Sequence, residues 1–151
     1  MAGLYFEEFE VGKVYRHEVT RTMTLPDSIW YTCMCMETEP TYMDEEWAAQ
    51  HARFKRVEIN PLYVMSFVTA LQVTELTLGT TLGNLYFADT KFPNPVFPGD
   101  TLRGQTTIIG KRESKTRPDR GVVECLHEGF NQHNQCVMST KRAGMMLKRP
   151  R

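Results

Sequence analysis

Hydrophobic and polar positions change period twice along the chain. Residues 14–22 alternate loosely, the two-residue period of a strand. Behind them Ile29, Trp30, Cys33 and Met34 recur at helical spacing, and Thr24-Leu-Pro-Asp27 offers an N-cap with an acid three residues on. Pro40 is expected to end this helix. Asp44 is expected to cap a second one through Phe54, with Trp47, Ala48 and Ala52 on one side. Asn60-Pro61 opens a third, because Asn caps and Pro at the first helical position sacrifices no hydrogen bond. Over residues 62–75 that helix is apolar nearly all round, so burial on most sides is expected.

From Leu82 the period returns to that of strands. Residues 84–92, 101–114, 122–131 and 136–147 form four segments separated by turn clusters. The breaks are Pro93-Asn-Pro95 with Pro98-Gly99, then Arg117-Pro-Asp-Arg-Gly121, then Asn131-Gln-His-Asn134. Three hairpin-like connections predict antiparallel neighbours. One apolar helix beside a long antiparallel sheet predicts an α+β fold in which the sheet curls round the helix. Such a sheet leaves an edge and an apolar flank open, which a homodimer would cover.

Composition narrows the class. At 151 residues, 41% hydrophobic and 24% charged, the chain reads as one globular domain over residues 1–151, with a core that needs no metal or disulfide staple. The opening stretch Met1 to Phe9 has no basic flank and no apolar run, so a signal peptide is not expected. The longest apolar run, residues 62–73, carries Ser66, Thr69 and Gln72 and falls short of the roughly 20 residues that cross a bilayer. The expectation is a cytoplasmic protein without a membrane partner. Cys33, Cys35, Cys125 and Cys136 lack the spacing of a metal site and are expected to be small buried thiols. The four histidines, His17, His51, His127 and His133, are expected at the surface or on strands, with His51 the one to check for a pocket-facing position.

The net charge of zero hides an asymmetry. Residues 1–101 hold 7 basic and 14 acidic side chains, and residues 102–151 hold 11 basic and 4 acidic. Lys111, Arg112, Lys115, Arg117 and Arg120 crowd one short stretch that suits a phosphate-bearing partner or forms a solvated turn. Nucleic acid would need a wider basic surface with aromatic platforms, so it is not an expected partner.

Several motifs, in order, span nearly the whole chain. They are Phe6-Glu-Glu-Phe-Glu-Val-Gly12, Pro40-x-x-x-Asp44 with Ala48, Asn84-Leu85 and Phe92-Pro-x-Pro-Val-Phe-x-Gly-Asp-Thr-Leu102. Lys111-Arg-Glu-Ser-x-x-Arg-Pro118 and Gly129-Phe-Asn-Gln132 complete the set. Together they resemble the MaoC-like dehydratase and (R)-specific enoyl-CoA hydratase family, nearest its mesaconyl-CoA hydratase (β-methylmalyl-CoA dehydratase) branch. The resemblance implies a hot dog fold, assembled as a homodimer or a dimer of dimers. It also implies an acyl-CoA substrate whose double bond beside the thioester gains or loses water, possible substrates including a branched C5 dicarboxylic thioester such as mesaconyl-CoA. No metal or redox cofactor is implied; coenzyme A enters as part of the substrate.

Many members of that family carry Asp-x-Asn-Pro-Leu-His, and here the matching segment reads Glu37-Thr38-Glu39-Pro40-Thr41-Tyr42. Glu37 takes the place of the Asp, Tyr42 that of the His, and Glu39 that of an amide. The resemblance makes Glu37, Tyr42 and Glu39 the catalytic candidates, with two close carboxylates as acid and base in one scheme. Otherwise the two acids are solvated and Tyr42 is a packing phenol. Where many members have Ala-His-Gly, this chain has Ile59-Asn60-Pro61, and Pro61 has no N–H to polarise the thioester carbonyl. That role passes to the Leu62 N–H or the Asn60 amide at the helix dipole. Arg112, Ser114, Lys115 and Arg117 are the candidates for the nucleotide phosphates. The altered positions Tyr42 and Pro61 keep open an acyl-CoA-binding protein that has lost the reaction, and hot dog folds also host acyl-CoA thioesterases.

Overall fold

Side-chain caps decide where the helices begin. In the computed structural model, which describes residues 3–150, helix α1 (Leu25–Met34) follows Thr24, whose Oγ1 accepts the Asp27 N–H and donates to Asp27 Oδ2 at 2.6 Å. Helix α2 (Glu45–His51) follows Asp44, whose Oδ1 accepts the Trp47 N–H at 2.8 Å. Helix α3 (Pro61–Ala70) follows Asn60, whose Oδ1 accepts the Leu62 N–H at 2.9 Å. Each cap satisfies a first-turn donor that has no partner inside the helix. Met1, Ala2 and Arg151, the ends of the stretches read above, lie outside the described residues.

All three helices stop earlier than the sequence pattern predicts. The chain leaves α1 at Cys35 and turns through Met36 in the left-handed region (φ 55°), so Pro40 opens a 3₁₀ turn (Pro40–Tyr42) instead of ending the helix. Helix α2 ends at His51 and not Phe54. Helix α3 ends at Ala70, and one π-helical turn (Val73–Thr77), rich in β-branched residues, carries the chain on. Among the described residues no helix is long and apolar enough to cross a membrane.

The expected first strand is two short pieces, β1 (Val14–Arg16) and β2 (Arg21–Thr22), both antiparallel to β4 (Thr101–Glu113). Strands β4, β5 (Arg120–Phe130) and β6 (Cys136–Leu147) form two successive hairpins. The third expected hairpin is absent. Strand β3 (Thr81–Lys91) pairs with β6, and the order is β1-β4-β5-β6-β3. Pro93, Pro95 and Pro98 explain the difference: a segment with three prolines cannot donate to a ladder, so residues 92–100 cross between the two ends of the sheet. On the way, Val96 accepts the Ile59 N–H at 2.8 Å, which ties the crossing to the residue before the α3 cap.

The sheet wraps α3. Val64 and Val68 pack with Met23, Ile59, Val96, Leu102, Val137 and Met138. Phe6, Phe9, Leu76, Ile108, Val123 and Met146 fill the other end of the concave face. Each such buried aliphatic side chain contributes about 1.5–3 kcal/mol. Gly129 lets the helix sit this close, since a Cβ there would meet Val68 Cγ2 at 2.5 Å. Burial of α3 is one-sided in a single chain: Val64 and Val68 are buried, Leu62 is 47% exposed, and Tyr63, Met65 and Phe67 lie between. Edge strand β3 likewise leaves Leu82, Leu85, Tyr86 and Phe87 exposed.

Candidate active site

The α3 start is built around one amide. Asn60 is fully buried, and its backbone N–H donates to Ser28 Oγ at 2.9 Å. Its Nδ2 donates to Thr32 Oγ1 and to Glu37 Oε2, both at 3.0 Å. Its Oδ1 accepts the Leu62 N–H, so both ends of the amide are occupied. Ser28 and Thr32 are four residues apart on α1 and therefore share the face that meets α3. Glu37 follows α1 with its own N–H donating to the Thr32 carbonyl at 3.0 Å. The result is a half-buried carboxylate fixed through one oxygen, while Oε1 has no hydrogen-bond partner among the described residues.

Two more ionisable groups stand beside it. Tyr42, half-buried on the 3₁₀ turn, has its phenol held above the usual range by burial first and then by the charges of Glu37, Glu58 and Glu39. It therefore stays protonated at neutral pH and can donate but not accept a proton. Glu58 lies two residues before Asn60, and burial pushes its carboxyl above the usual range against the pull of Arg53. Its backbone N–H donates to the Thr41 carbonyl at 3.2 Å, which brings the Tyr42 turn alongside. Glu39 is exposed, and its Oε1 accepts from Thr41 Oγ1 at 3.1 Å.

A cleft of about 390 Å³ opens at this helix start, with Glu58, Ile59, Pro61 and Val64 on one wall and the proline crossing on the other. Pro61 has no N–H, and the Leu62 N–H is held by Asn60, which leaves Tyr63 as the first-turn residue whose N–H is unclaimed among the described residues. Sequence reasoning missed Glu58. In Val57-Glu58-Ile59 the buried neighbours imply an outward, solvated acid, and no local signal reveals the proline crossing that closes the wall over it.

The basic candidates sit elsewhere. Arg112, Lys115 and Arg117 are exposed at the β4–β5 turn, and Ser114 Oγ accepts the Thr116 and Arg117 N–H groups at 3.4 and 3.3 Å. Leu102, at the other end of β4, packs with Val64 near the α3 start. The ten residues from Leu102 to Arg112 span roughly 30 Å of strand, so one chain does not bring the basic turn to Glu37.

The remaining expectations divide. Cys33 and Cys35 are exposed at the end of α1 instead of buried, Cys125 is buried and Cys136 half-buried. His51 is exposed with its ring centroid 5.1 Å from that of Trp47 and does not line the cleft. His127, read as a surface or strand residue, lies on strand β5 and is buried, whereas His17, read the same way, follows β1 and is buried. They lie in a hydrogen-bonded row within the sheet: Glu75 Oε2 to His17 Nδ1 at 2.8 Å, then His17 Nε2 to Thr106 Oγ1 and Thr106 Oγ1 to His127 Nδ1, each at 2.9 Å. Burial, then the charges of Arg142 and His17, lower the His127 pKa to about 3.

Comparison with known proteins gives the arrangement a family. Residues 7–129 match the family described as MaoC like domain. The mesaconyl-CoA hydratase of Cereibacter sphaeroides is 30% identical over 98% of this chain and 42% of its own length, so the chain spans about two-fifths of that relative. A MaoC-like dehydratase from Rhodospirillum rubrum is similar in structure, with a TM-score of 0.84 and 26% identity over 99% of this chain and 100% of that one. A Mycobacterium tuberculosis protein with a double hot dog fold, 18% identical, superposes with a TM-score of 0.87 over 98% of this chain and 45% of that one. With its sheet wrapped round one helix and its motifs matched along most of its length, the chain belongs to the MaoC-like domain family and has the hot dog fold.

Proposed function

We propose that this chain adds water across the double bond of an enoyl-CoA thioester, or removes it in reverse, at the start of α3. The observation that carries this reading is Glu37, held through one oxygen by Asn60, whose neighbours Ile59 and Pro61 line the cleft, and with its other oxygen unpaired among the described residues. A carboxylate so fixed can take a proton from a water attacking the β-carbon. Tyr42, whose raised phenol keeps its proton, serves as a donor nearby. As enolate charge develops, the thioester oxygen faces the positive end of α3, where the unclaimed Tyr63 N–H takes the role expected of Leu62.

The related mesaconyl-CoA hydratase favours a branched C5 dicarboxylic acyl group. Coenzyme A is held as part of the substrate, and the reaction needs no further cofactor. A nucleotide contact by Arg112, Ser114, Lys115 or Arg117 would then come from a second copy of the fold, because the basic turn is far from Glu37 within one chain. The exposed apolar residues of β3 and Leu62 support such pairing.

Incubating the protein with a panel of enoyl-CoA esters, mesaconyl-CoA among them, tests this reading. Loss of enoyl-thioester absorbance with a mass gain of one water is the expected result. A folded protein that hydrates none of them would overturn it. The second reading, an acyl-CoA-binding protein without chemistry, draws on Tyr42 and Pro61 standing where His and Gly are common in the family. Calorimetric binding of an acyl-CoA with no turnover would favour it.

A further inference from the structure

We infer that Glu58, and not Glu39, is the second carboxyl group that moves a proton in this reaction, an inference that rests on the hydration proposed above. Its geometry sets it apart from Glu39. Glu58 lines the cleft beside Ile59 and Pro61, whereas Glu39 is exposed, engaged with Thr41, and not on the cleft wall. Two backbone bonds fix the Glu58 segment, its own N–H to the Thr41 carbonyl at 3.2 Å and the Ile59 N–H to the Val96 carbonyl at 2.8 Å. Val57 and Ile59 anchor it further by burying their side chains, at 6% and 2% exposure. A carboxyl group fixed by its neighbours needs no reorganisation to meet a substrate.

The charges of Glu37 and Glu58 both act on the Tyr42 phenol, and the Glu58 N–H bond to the Thr41 carbonyl holds the Tyr42 turn against the Glu58 segment. Arg53, from the α2–α3 connection, acts on Glu58, and Glu39, before the 3₁₀ turn, acts with Glu37 and Glu58 on Tyr42. The environments of Glu37 and Glu58 differ in the way an acid and a base require. Glu37 accepts a hydrogen bond from the Asn60 amide, and Glu58 sits half-buried against apolar cleft residues, where burial favours its protonated form.

The step balances with these two groups alone. Glu37 removes one proton from water as its oxygen bonds to the β-carbon, and the π-electron pair moves toward the thioester oxygen as an enolate. The enolate returns its electrons to the α-carbon, which takes the proton of Glu58. The proton left on Glu37 passes through solvent to Glu58 before the next turnover, so the net change is one water added.

Steady-state kinetics of the whole chain against pH, on an enoyl-CoA that the wild type hydrates, test the assignment. Glu58→Gln is expected to lower kcat by about 10²–10⁴-fold with little change in KM, at least tenfold more than Glu39→Gln. The high-pH limb of the wild-type profile, where an essential acid loses its proton, should vanish in Glu58→Gln and shift in Glu58→Asp. Wild-type kcat and an intact high-pH limb in Glu58→Gln would overturn the inference, as would an effect confined to KM. Should Glu58→Gln not fold, an unshifted limb in Glu58→Asp overturns it equally. A wild type that hydrates no enoyl-CoA removes the parent reading instead, and that failure is seen before any substitution is made.

Discussion

Two polar clusters lie within this fold, and only one has the access that the proposed chemistry needs. The row of Glu75, His17, Thr106 and His127 holds two of the four histidines, the residues most often sought as proton carriers. Glu75 Oε2 accepts from His17 Nδ1, and Thr106 Oγ1 links His17 Nε2 to His127 Nδ1. Among the described residues His127 Nε2 is left buried without a partner, and the Arg142 side chain, whose charge acts on it, donates to Asn84 Oδ1 at 2.6 Å. His17, Thr106 and His127 are sealed, Glu75 alone reaches the surface, and burial holds His127 neutral. At the α3 start no histidine is found among the described residues, yet Glu37 with one unpaired oxygen and the half-buried Glu58 both act on a protonated phenol, and Glu58 lines an open cleft. Access distinguishes the two clusters, since His127 also has an unpaired nitrogen; residue type does not.

The sharpest way to separate the clusters is to break each at its hub. Asn60→Ala removes the α3 cap and strands Thr32, Glu37 and the Leu62 N–H, so it is expected to cost about 2–4 kcal/mol in urea denaturation and to abolish hydration. Thr106→Val breaks the histidine row and should cost about 1–3 kcal/mol, with hydration per folded molecule unchanged. Loss of turnover in Thr106→Val would erase the contrast.

Gly129→Ala probes the seat of α3. The new Cβ collides with Val68, a cost of about 1–3 kcal/mol by denaturant midpoint that Val68→Ala in the same chain should partly relieve. Acid sharpens the picture further. Between pH 6.5 and about 3 the unfolded chain protonates His127 and the folded chain does not, so stability present above pH 6.5 is lost as pH falls. The loss is about 1.4 kcal/mol per pH unit, and His127→Asn should remove that part of the slope in pH-dependent urea titrations. The smallest effect expected is that of Tyr42→Phe, about tenfold in kcat (~1.4 kcal/mol), because it removes a donor and leaves both carboxyl groups.

Local signals wrote much of this molecule plainly. Thr24, Asp44 and Asn60 announce their helices because a cap and its donor lie two or three residues apart. Strands β4 to β6 follow from alternation and tight turns. The partner of β3 does not, since three prolines announce a break and say nothing of the edge to which the chain returns. Family motifs pointed to Glu37 and Asn60, but the bonds joining Asn60 to Glu37 and Ser28 close over 23 and 32 residues, beyond any local pattern. Glu58 and the burial of His17 escaped for one reason. Alternation tells which face a side chain takes, and tertiary packing decides whether that face is wet.

The most direct measurement compares Glu37→Gln with the wild type for hydration of the same enoyl-CoA, after circular dichroism and acyl-CoA binding are shown to match. Turnover by the wild type and a fall of about 10²–10⁴-fold in the variant is the predicted result. Equal rates in the two proteins would contradict the placement of the chemistry at the α3 start.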